Sequence, residues 1–341
     1  MRIIVVGAGI GGLTTALALL RAGHEVEVVE RAAGFGEVGA GLQAGPNATR
    51  VLHSLGLAAA LEPVAVSPVA TRFLRWDNDT VLTEWPLAGQ IDVKYGAPYH
   101  TLYRPDLIDV LAAALPPDVV RFQRTVTAVD YWDTRPVLRF ADGTAEIADI
   151  VVGADGIRSA VRGSTVEETT APFSGMCAYR AMVRADESPE PSVRIWLGLH
   201  RHLVAYPAGR YLNLVCVVPA TDWPAESWTV PGSLAELRAN FRGWSPQLNE
   251  LLDHVRERVY RWGRYDREPL SHWSTATTTL IGDACPPMLP FLAQAIEDGA
   301  ATAHGTHPAP VLGEQRAFPS ARRTRTSTAR QSTRQRRGDE R

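Results

Sequence analysis

The chain has 341 residues, 45% of them hydrophobic, and a net charge of −2; that is enough apolar content for a sizeable core and two domains, and the balance excludes an extended nucleic-acid footprint. The charge is uneven: nine arginines and three acids lie from Glu314 onward, so a basic tail follows an acidic body. No run approaches the ~18 apolar residues of a membrane-spanning helix, and the odd, widely spaced Cys177, Cys216 and Cys285 argue against a disulfide framework or a metal site and fit a reducing cytoplasm.

Residues 3–6 are apolar and β-branched and read as a short buried strand. A strand starting at residue 3 leaves no room for a signal peptide. Gly7, Gly9 and Gly12 follow in the spacing G-x-G-x-x-G, with Gly11 inside it. Residues 13–21 read as a helix, Gly23 as its stop, and residues 25–29 as a second strand ending in Glu30. The spacing has a physical sense: Gly7 allows a tight turn, Gly9 lets backbone approach a pyrophosphate, and Gly12 lets the helix pack on the strand. The helix N-terminus offers unpaired N–H groups to phosphate, and a carboxylate at Glu30 suits a ribose diol. This is a dinucleotide-binding signature.

Gly34, Gly36, Gly39, Gly41 and Gly45 make the next stretch a loop whose backbone can approach a ligand, with Val38, Ala40 and Leu42 interleaved. Asn47 is expected to cap a helix over residues 48–55. Residues 69–76 and 80–85 alternate as antiparallel strands around Asp77-Asn78-Asp79. Arg104 stands just before Pro105 at a helix start, where a cation gains nothing from the dipole and an anionic partner is implied. Residues 119–129 and 137–140 read as strands, with Asp142-Gly143 as a turn. Residues 149–153 form another buried strand running into Gly153-Ala-Asp155-Gly156; Asp155 suits a ligand at a strand end, a helix cap, or both.

From residue 173 to 218 the chain is β-rich, and residues 233–255 are amphipathic and helical, interrupted by Pro246. Trp223, Trp228 and Trp244 read as packing residues rather than pocket walls. A third strand-to-glycine junction follows, ending in Gly282-Asp283 with Pro290 downstream. Three such junctions imply that distant segments converge on one ligand around an inserted domain. Residues 316–341 are too poor in apolar side chains to build a core and are expected to be disordered.

Gly7-x-Gly-x-x-Gly12 with Glu30-Arg31, then Gly153-Ala-Asp155-Gly156, then Gly282-Asp283 with Pro290, resembles the FAD-dependent aromatic hydroxylases, the salicylate-hydroxylase-like single-component flavoprotein monooxygenases. The resemblance covers roughly residues 1–298. It implies an α/β fold: a Rossmann-like FAD-binding domain (residues 1–65, 100–170 and 268–300) with an inserted β-sheet substrate domain (66–99 and 171–267). By that resemblance Gly7, Gly9, Gly11 and Gly12 face the FAD pyrophosphate, Glu30 holds the ribose and Arg31 lies beside the adenine. Arg104, Asp155, Gly282, Asp283 and Pro290 serve the rest of the cofactor, and the backbone of residues 39–43, including Gln43, approaches the flavin. Tyr206 faces the substrate as the candidate catalytic residue, with His100 and His202 as other candidate bases.

The implied reaction takes electrons from NAD(P)H, activates O2 as a flavin C4a-hydroperoxide and hydroxylates a small phenolic or hydroxybenzoate-like ring. The implied protein is cytoplasmic, a monomer or homodimer, with no metal, nucleic-acid or membrane partner. Two departures from the family pattern stand out: Pro286-Pro287 replaces the usual His-Pro, and Gln294 runs directly into Ala295-Ile296-Glu297-Asp298 without the usual small residues. With a segment after Gly299 that lacks amphipathic helices, they suggest a short deletion and a frame-shifted C-terminus. The alternative reading is therefore an inactive or flavin-binding-only relative damaged near Gln294. An NAD-dependent dehydrogenase on the same βαβ unit would leave Gly153–Gly156 and Gly282-Asp283 unexplained.

Overall fold

The computed structural model describes residues 1–36, 40–166, 172–184, 191–221, 230–256, 258–265, 270 and 272–285. β1 (Arg2–Val6) leads through the glycine turn into α1 (Ile10–Arg21) and back through β2 (Glu25–Val29). The apolar run of β1 is buried from Ile3 to Val6, and α1 turns Gly12 to Leu17 onto it. β3 (Gly41–Ala44) follows, then α2 (Pro46–Ser54), α3 (Ala58–Leu61) and β4 (Ala65–Val66). The cap expected at Asn47 is instead Gly45, because Pro46 takes a first-turn position whose missing N–H costs nothing.

β5 (Ala70–Arg75) and β6 (Val81–Pro86) form the expected hairpin, with Asp79 left-handed in the turn at φ 60°. α4 (Ile91–Tyr95) precedes β7 (His100–Tyr103), which runs straight into α5 (Arg104–Ala113). The single strand expected over residues 119–129 is two: β8 (Val120–Arg121) and β9 (Val126–Trp132), in different sheets. Gln123 breaks it, left-handed at φ 57°, as its N–H and that of Arg124 turn to the carbonyls of Ala32 and Glu30. β10 (Arg135–Phe140), β11 (Ala145–Ile147) and β12 (Ile150–Gly153) lead to α6 (Ala160–Thr165).

Four long strands follow: β13 (Phe173–Arg184), β14 (Ser192–Gly198), β15 (Arg201–Ala208) and β16 (Tyr211–Pro219). After β17 (Val230–Pro231), the expected amphipathic helix is α7 (Leu234–Asn240) and α8 (Pro246–Asp253), each capped by a serine, Ser233 and Ser245, with left-handed Gly243 between them. β18 (Tyr260–Tyr265) and β19 (Thr278–Leu280) complete the described strands.

Among the described residues the strands sort into a parallel sheet, β19-β12-β1-β2-β8, a large sheet, β17-β18-β13-β16-β15-β14-β5-β6, and two three-stranded sheets. Sequence-distant strands β1, β12 and β19 are therefore neighbours, which is the doubly wound arrangement expected of an α/β cofactor fold. One face of the large sheet is sealed by α7 and α8: Tyr179, Ala181, Leu203, Leu214 and Cys216 share a core with Leu237, Phe241, Leu248 and Leu252. The small sheet β3-β7-β4 meets the large sheet through β15. No helix among the described residues is long and apolar enough to cross a membrane.

Candidate cofactor and substrate site

The parallel register brings the three glycine junctions to one edge. Val6 pairs with Val29 and with Gly153, and Gly153 pairs with Leu280. The residues just beyond these strand ends, Gly7, Glu30, Ala154-Asp155 and Gly282-Asp283, therefore lie side by side at the carboxyl edge, where open α/β sheets bind ligands.

The glycines divide by function. Gly7 has φ +105°, and a Cβ there would stand 2.3 Å from the Ala154 carbonyl oxygen. At Gly12 a Cβ would stand 1.9 Å from the Gly7 carbonyl oxygen, so the helix can rest on the turn only with glycine there. Gly9 has nothing within 4 Å of the same position, and it opens α1 with no side-chain cap and no acid in the first turn. An uncapped twelve-residue helix with an open approach at its first glycine is a cradle that suits a pyrophosphate. Gly11 lies in the first turn, its carbonyl accepting from the Thr15 hydroxyl. Glu30 accepts from the N–H groups of Ala8 and Ala32, both at 2.8 Å, which fixes its carboxylate beside the turn. Arg31 follows it and is exposed.

At the second junction Ser159 is the N-cap of α6, accepting from the Arg162 N–H, and Asp155 braces that cap. Asp155 accepts from the Ala160 and Val161 N–H groups and from the Ser159 hydroxyl. Arg162, which the sequence did not single out, ties this junction to the third. It is 8% exposed, and its guanidinium donates to the carbonyls of Ile157 (2.6 Å), Ala284 (3.3 Å) and Asp283 (3.5 Å). Asp283 and Ala284 are more than a hundred residues away, so no local spacing could have marked this link. Gly282 is left-handed at φ 57°. Burial pushes the Asp283 carboxyl up, and the positive charge of Arg104 opposes that. Arg104 reaches this edge because β7 delivers it to the first position of α5, its N–H bonded to the Ala40 carbonyl.

The small sheet links this edge to the large one. Gln43, on β3, accepts from the Tyr99 hydroxyl and bonds the Tyr206 hydroxyl. Gly41 donates to Asn213 Oδ1 at 2.9 Å and has no room for a side chain, since a Cβ would meet Asn213 and Tyr206 below 3 Å. Tyr206 is 3% exposed, and burial pushes its phenol up to about 12 despite the opposing charge of Arg180 and the bond to Gln43. A phenol so held is a neutral hydrogen-bonding group rather than a ready base. Tyr206 and Asn213 pair across β15 and β16 on the face away from α7 and α8.

Other candidates lie elsewhere. His100 is at the opposite end of β7 from Arg104, bonded to Ser67 with His53 nearby; burial, then the His53 charge, lowers its pKa. It is not gathered with Tyr206 as a base. His202 shares β15 and its partly buried face with Tyr206. Trp244 packs on Phe241 and Trp76 and also lines a cleft at the β14–β15 turn, remote from the glycine edge. Gly39, Pro286-Pro287, Pro290, Gln294, Trp223, Trp228 and the tail after Gly299 lie outside the described residues.

Residues 1–304 match the family described as FAD binding domain. A 3-amino-4-hydroxybenzoate 2-monooxygenase of Streptomyces platensis is 42% identical over 307 residues, spanning 87% of this chain and 77% of the relative. A 6-hydroxynicotinate 3-monooxygenase of Pseudomonas fluorescens is 37% identical over 311 residues, spanning 88% and 80%. A salicylate hydroxylase substrate complex shares the fold, with TM-score 0.75 and 24% identity over 90% of this chain and 78% of that one.

Proposed function

Because the chain belongs to the FAD-binding-domain family and, within it, to the FAD-dependent aromatic hydroxylases, we propose that it is an NAD(P)H-driven monooxygenase of a small phenolic, hydroxybenzoate-like ring. The observation that carries this reading is the convergence of Gly7–Gly12, Asp155 and Asp283 on one sheet edge that is linked through Gln43 to the buried face holding Tyr206. The relatives' names support the substrate class: they oxidise a hydroxybenzoate and a hydroxynicotinate.

In this reading the open start of α1, Gly9 and Gly11 bind the pyrophosphate, Glu30 and Arg31 the adenosine end. Arg104 and Asp283 bind the ribityl chain, and Asp155 shapes the loop between the cofactor and the nicotinamide donor. Bound FAD would supply the redox chemistry that links NAD(P)H and O2 to the ring. The protein's tasks are to hold the ring in place and to keep water from it. Tyr206 would hydrogen-bond the substrate as a neutral phenol, oriented by Gln43, and Tyr99 would fix Gln43. We assign residues 1–65, 100–170 and 268–300 to cofactor binding and 66–99 and 171–267 to substrate binding.

The test is reconstitution of the full chain with FAD, then NAD(P)H oxidation across a panel of phenols and hydroxybenzoates. A yellow protein whose NAD(P)H oxidation rises with one ring, and which releases that ring hydroxylated, supports the reading. A chain that takes up no FAD refutes it, and one that binds FAD without hydroxylating any ring is the flavin-binding-only relative.

A further inference from the structure

Among the described residues Arg180 is a cation without a counter-ion. It lies on β13, facing Val215 of β16 and Tyr260 of β18, so its side chain leaves the sheet on the face that carries Tyr206 and Asn213. The opposite face is filled by the core beneath α7 and α8. Its guanidinium stacks 4.2 Å from the ring centroid of Trp262, which orients its plane. Its Nε is buried and without a hydrogen-bond partner, and no carboxylate among the described residues pairs with it.

The charges around it do not neutralise it. Burial lowers its pKa most; Tyr206 acts in the stabilising direction, and Arg104, of like sign, in the other. Asn213 adds a second orphan on the same face: its Oδ1 is taken by Gly41, and its buried Nδ2 has no acceptor. A partly exposed guanidinium whose Nε is buried and unpaired, beside a buried amide donor that lacks an acceptor, is best completed by an anion.

The floor beside them is apolar and open. Val215 pairs with both Arg180 and Val204, and Val204 with Ile195; all three aliphatic side chains are partly exposed. Arg180 and Tyr206 are two strands apart, about 10 Å across the sheet, which suits a substituted ring lying between them.

We propose that Arg180 binds a carboxylate on the ring of the substrate, and so makes this chain selective for hydroxyaryl carboxylates over their neutral analogues. The aromatic part of this inference rests on the hydroxylase reading; the need for an anion comes from Arg180 and Asn213. Trp262 positions the guanidinium, and the aliphatic shelf receives the ring.

Acid and amide pairs test it: 4-hydroxybenzoate against 4-hydroxybenzamide, and 6-hydroxynicotinate against 6-hydroxynicotinamide. Each is titrated into the full chain, with and without FAD, and binding is read by tryptophan fluorescence and calorimetry. At least one acid is expected to bind more than about tenfold tighter than its amide. Arg180→Met should weaken that acid by about a hundredfold and the amide by less than about threefold, and Arg180→Lys should keep part of the preference. Equal binding of every acid and amide by the wild-type chain overturns the proposal, whatever the variants do. So does a preference that survives in Arg180→Met, or a panel in which no acid binds; in those cases Arg180 answers to an acid of the chain itself. Failure of the hydroxylase reading looks different: no FAD uptake or no hydroxylated product, with the acid preference in the flavin-free titration intact.

Discussion

Gly9 and Gly12 have the same side chain for opposite reasons. A methyl at Gly12 would stand 1.9 Å from a backbone oxygen, and a backbone cannot rotate away. Gly12→Ala is therefore expected to destabilise the chain by about 3 kcal/mol or more, read by denaturant unfolding. Gly9 has φ −76° and ψ −178°, which any residue adopts, and empty space before it. Gly9→Ala should leave stability within about 1 kcal/mol but weaken FAD about tenfold or more, read by flavin fluorescence titration. Equal effects of the two substitutions would show that the space before Gly9 is not where the cofactor lies. Tyr206 gives a second prediction. Its raised pKa means that the neutral phenol persists through pH 10, so the pH dependence of kcat/KM below that belongs to other groups. Tyr206→Phe should lower kcat/KM by about ten- to a hundredfold with the profile unshifted and FAD content unchanged. The glycine spacing was legible because it encodes local backbone conformation. Arg162 and Arg180 were not, because their meaning lies in sequence-distant carbonyls and in a missing acceptor.

At the scale of elements, a charge network holds the far side of the parallel sheet. Arg2 on β1 and Arg121 on β8 both bridge Glu27 on β2 and Glu146 on β11, at 2.7 to 3.2 Å. Hydrogen bonding from Arg121, against burial, holds the Glu146 carboxyl at about 2. A carboxyl depressed on folding stabilises the chain above its unfolded pKa of 4.5 and loses that contribution as pH falls toward about 2. Glu146→Gln should thus cost about 1–2 kcal/mol at neutral pH, after allowance for solvent screening, and nearly nothing near pH 2. Unfolding curves at several pH values check it; a pH-independent cost would remove the ion pairs from the account. Elements themselves read well from the sequence where apolar period and turn chemistry agreed, as at the Asp77–Asp79 hairpin. They read poorly where one residue changed the geometry, as at Gln123, whose left-handed backbone sends β8 and β9 into different sheets.

For the whole molecule, three junctions spread over 276 residues of sequence meet because β1, β12 and β19 are adjacent and parallel. The sequence pointed to that meeting, since a strand running into glycine recurs three times, twice with an aspartate beside it, and one recurrence alone would not have distinguished FAD from NAD. What it did not show is the other wall. The face of the large sheet that carries Tyr206, Asn213 and Arg180 is set by register across β13, β15 and β16, and alternation within a strand does not say which face a helix will seal. The central claim, that the two walls form one hydroxylating site, is tested most directly with isotopically labelled dioxygen. The FAD-reconstituted chain is given NAD(P)H and its best ring substrate, and the product is analysed by mass spectrometry. The account predicts a ring product that carries one labelled oxygen atom, formed in proportion to NAD(P)H consumed. Oxidation of NAD(P)H that yields only labelled hydrogen peroxide, with the ring unchanged, would contradict it.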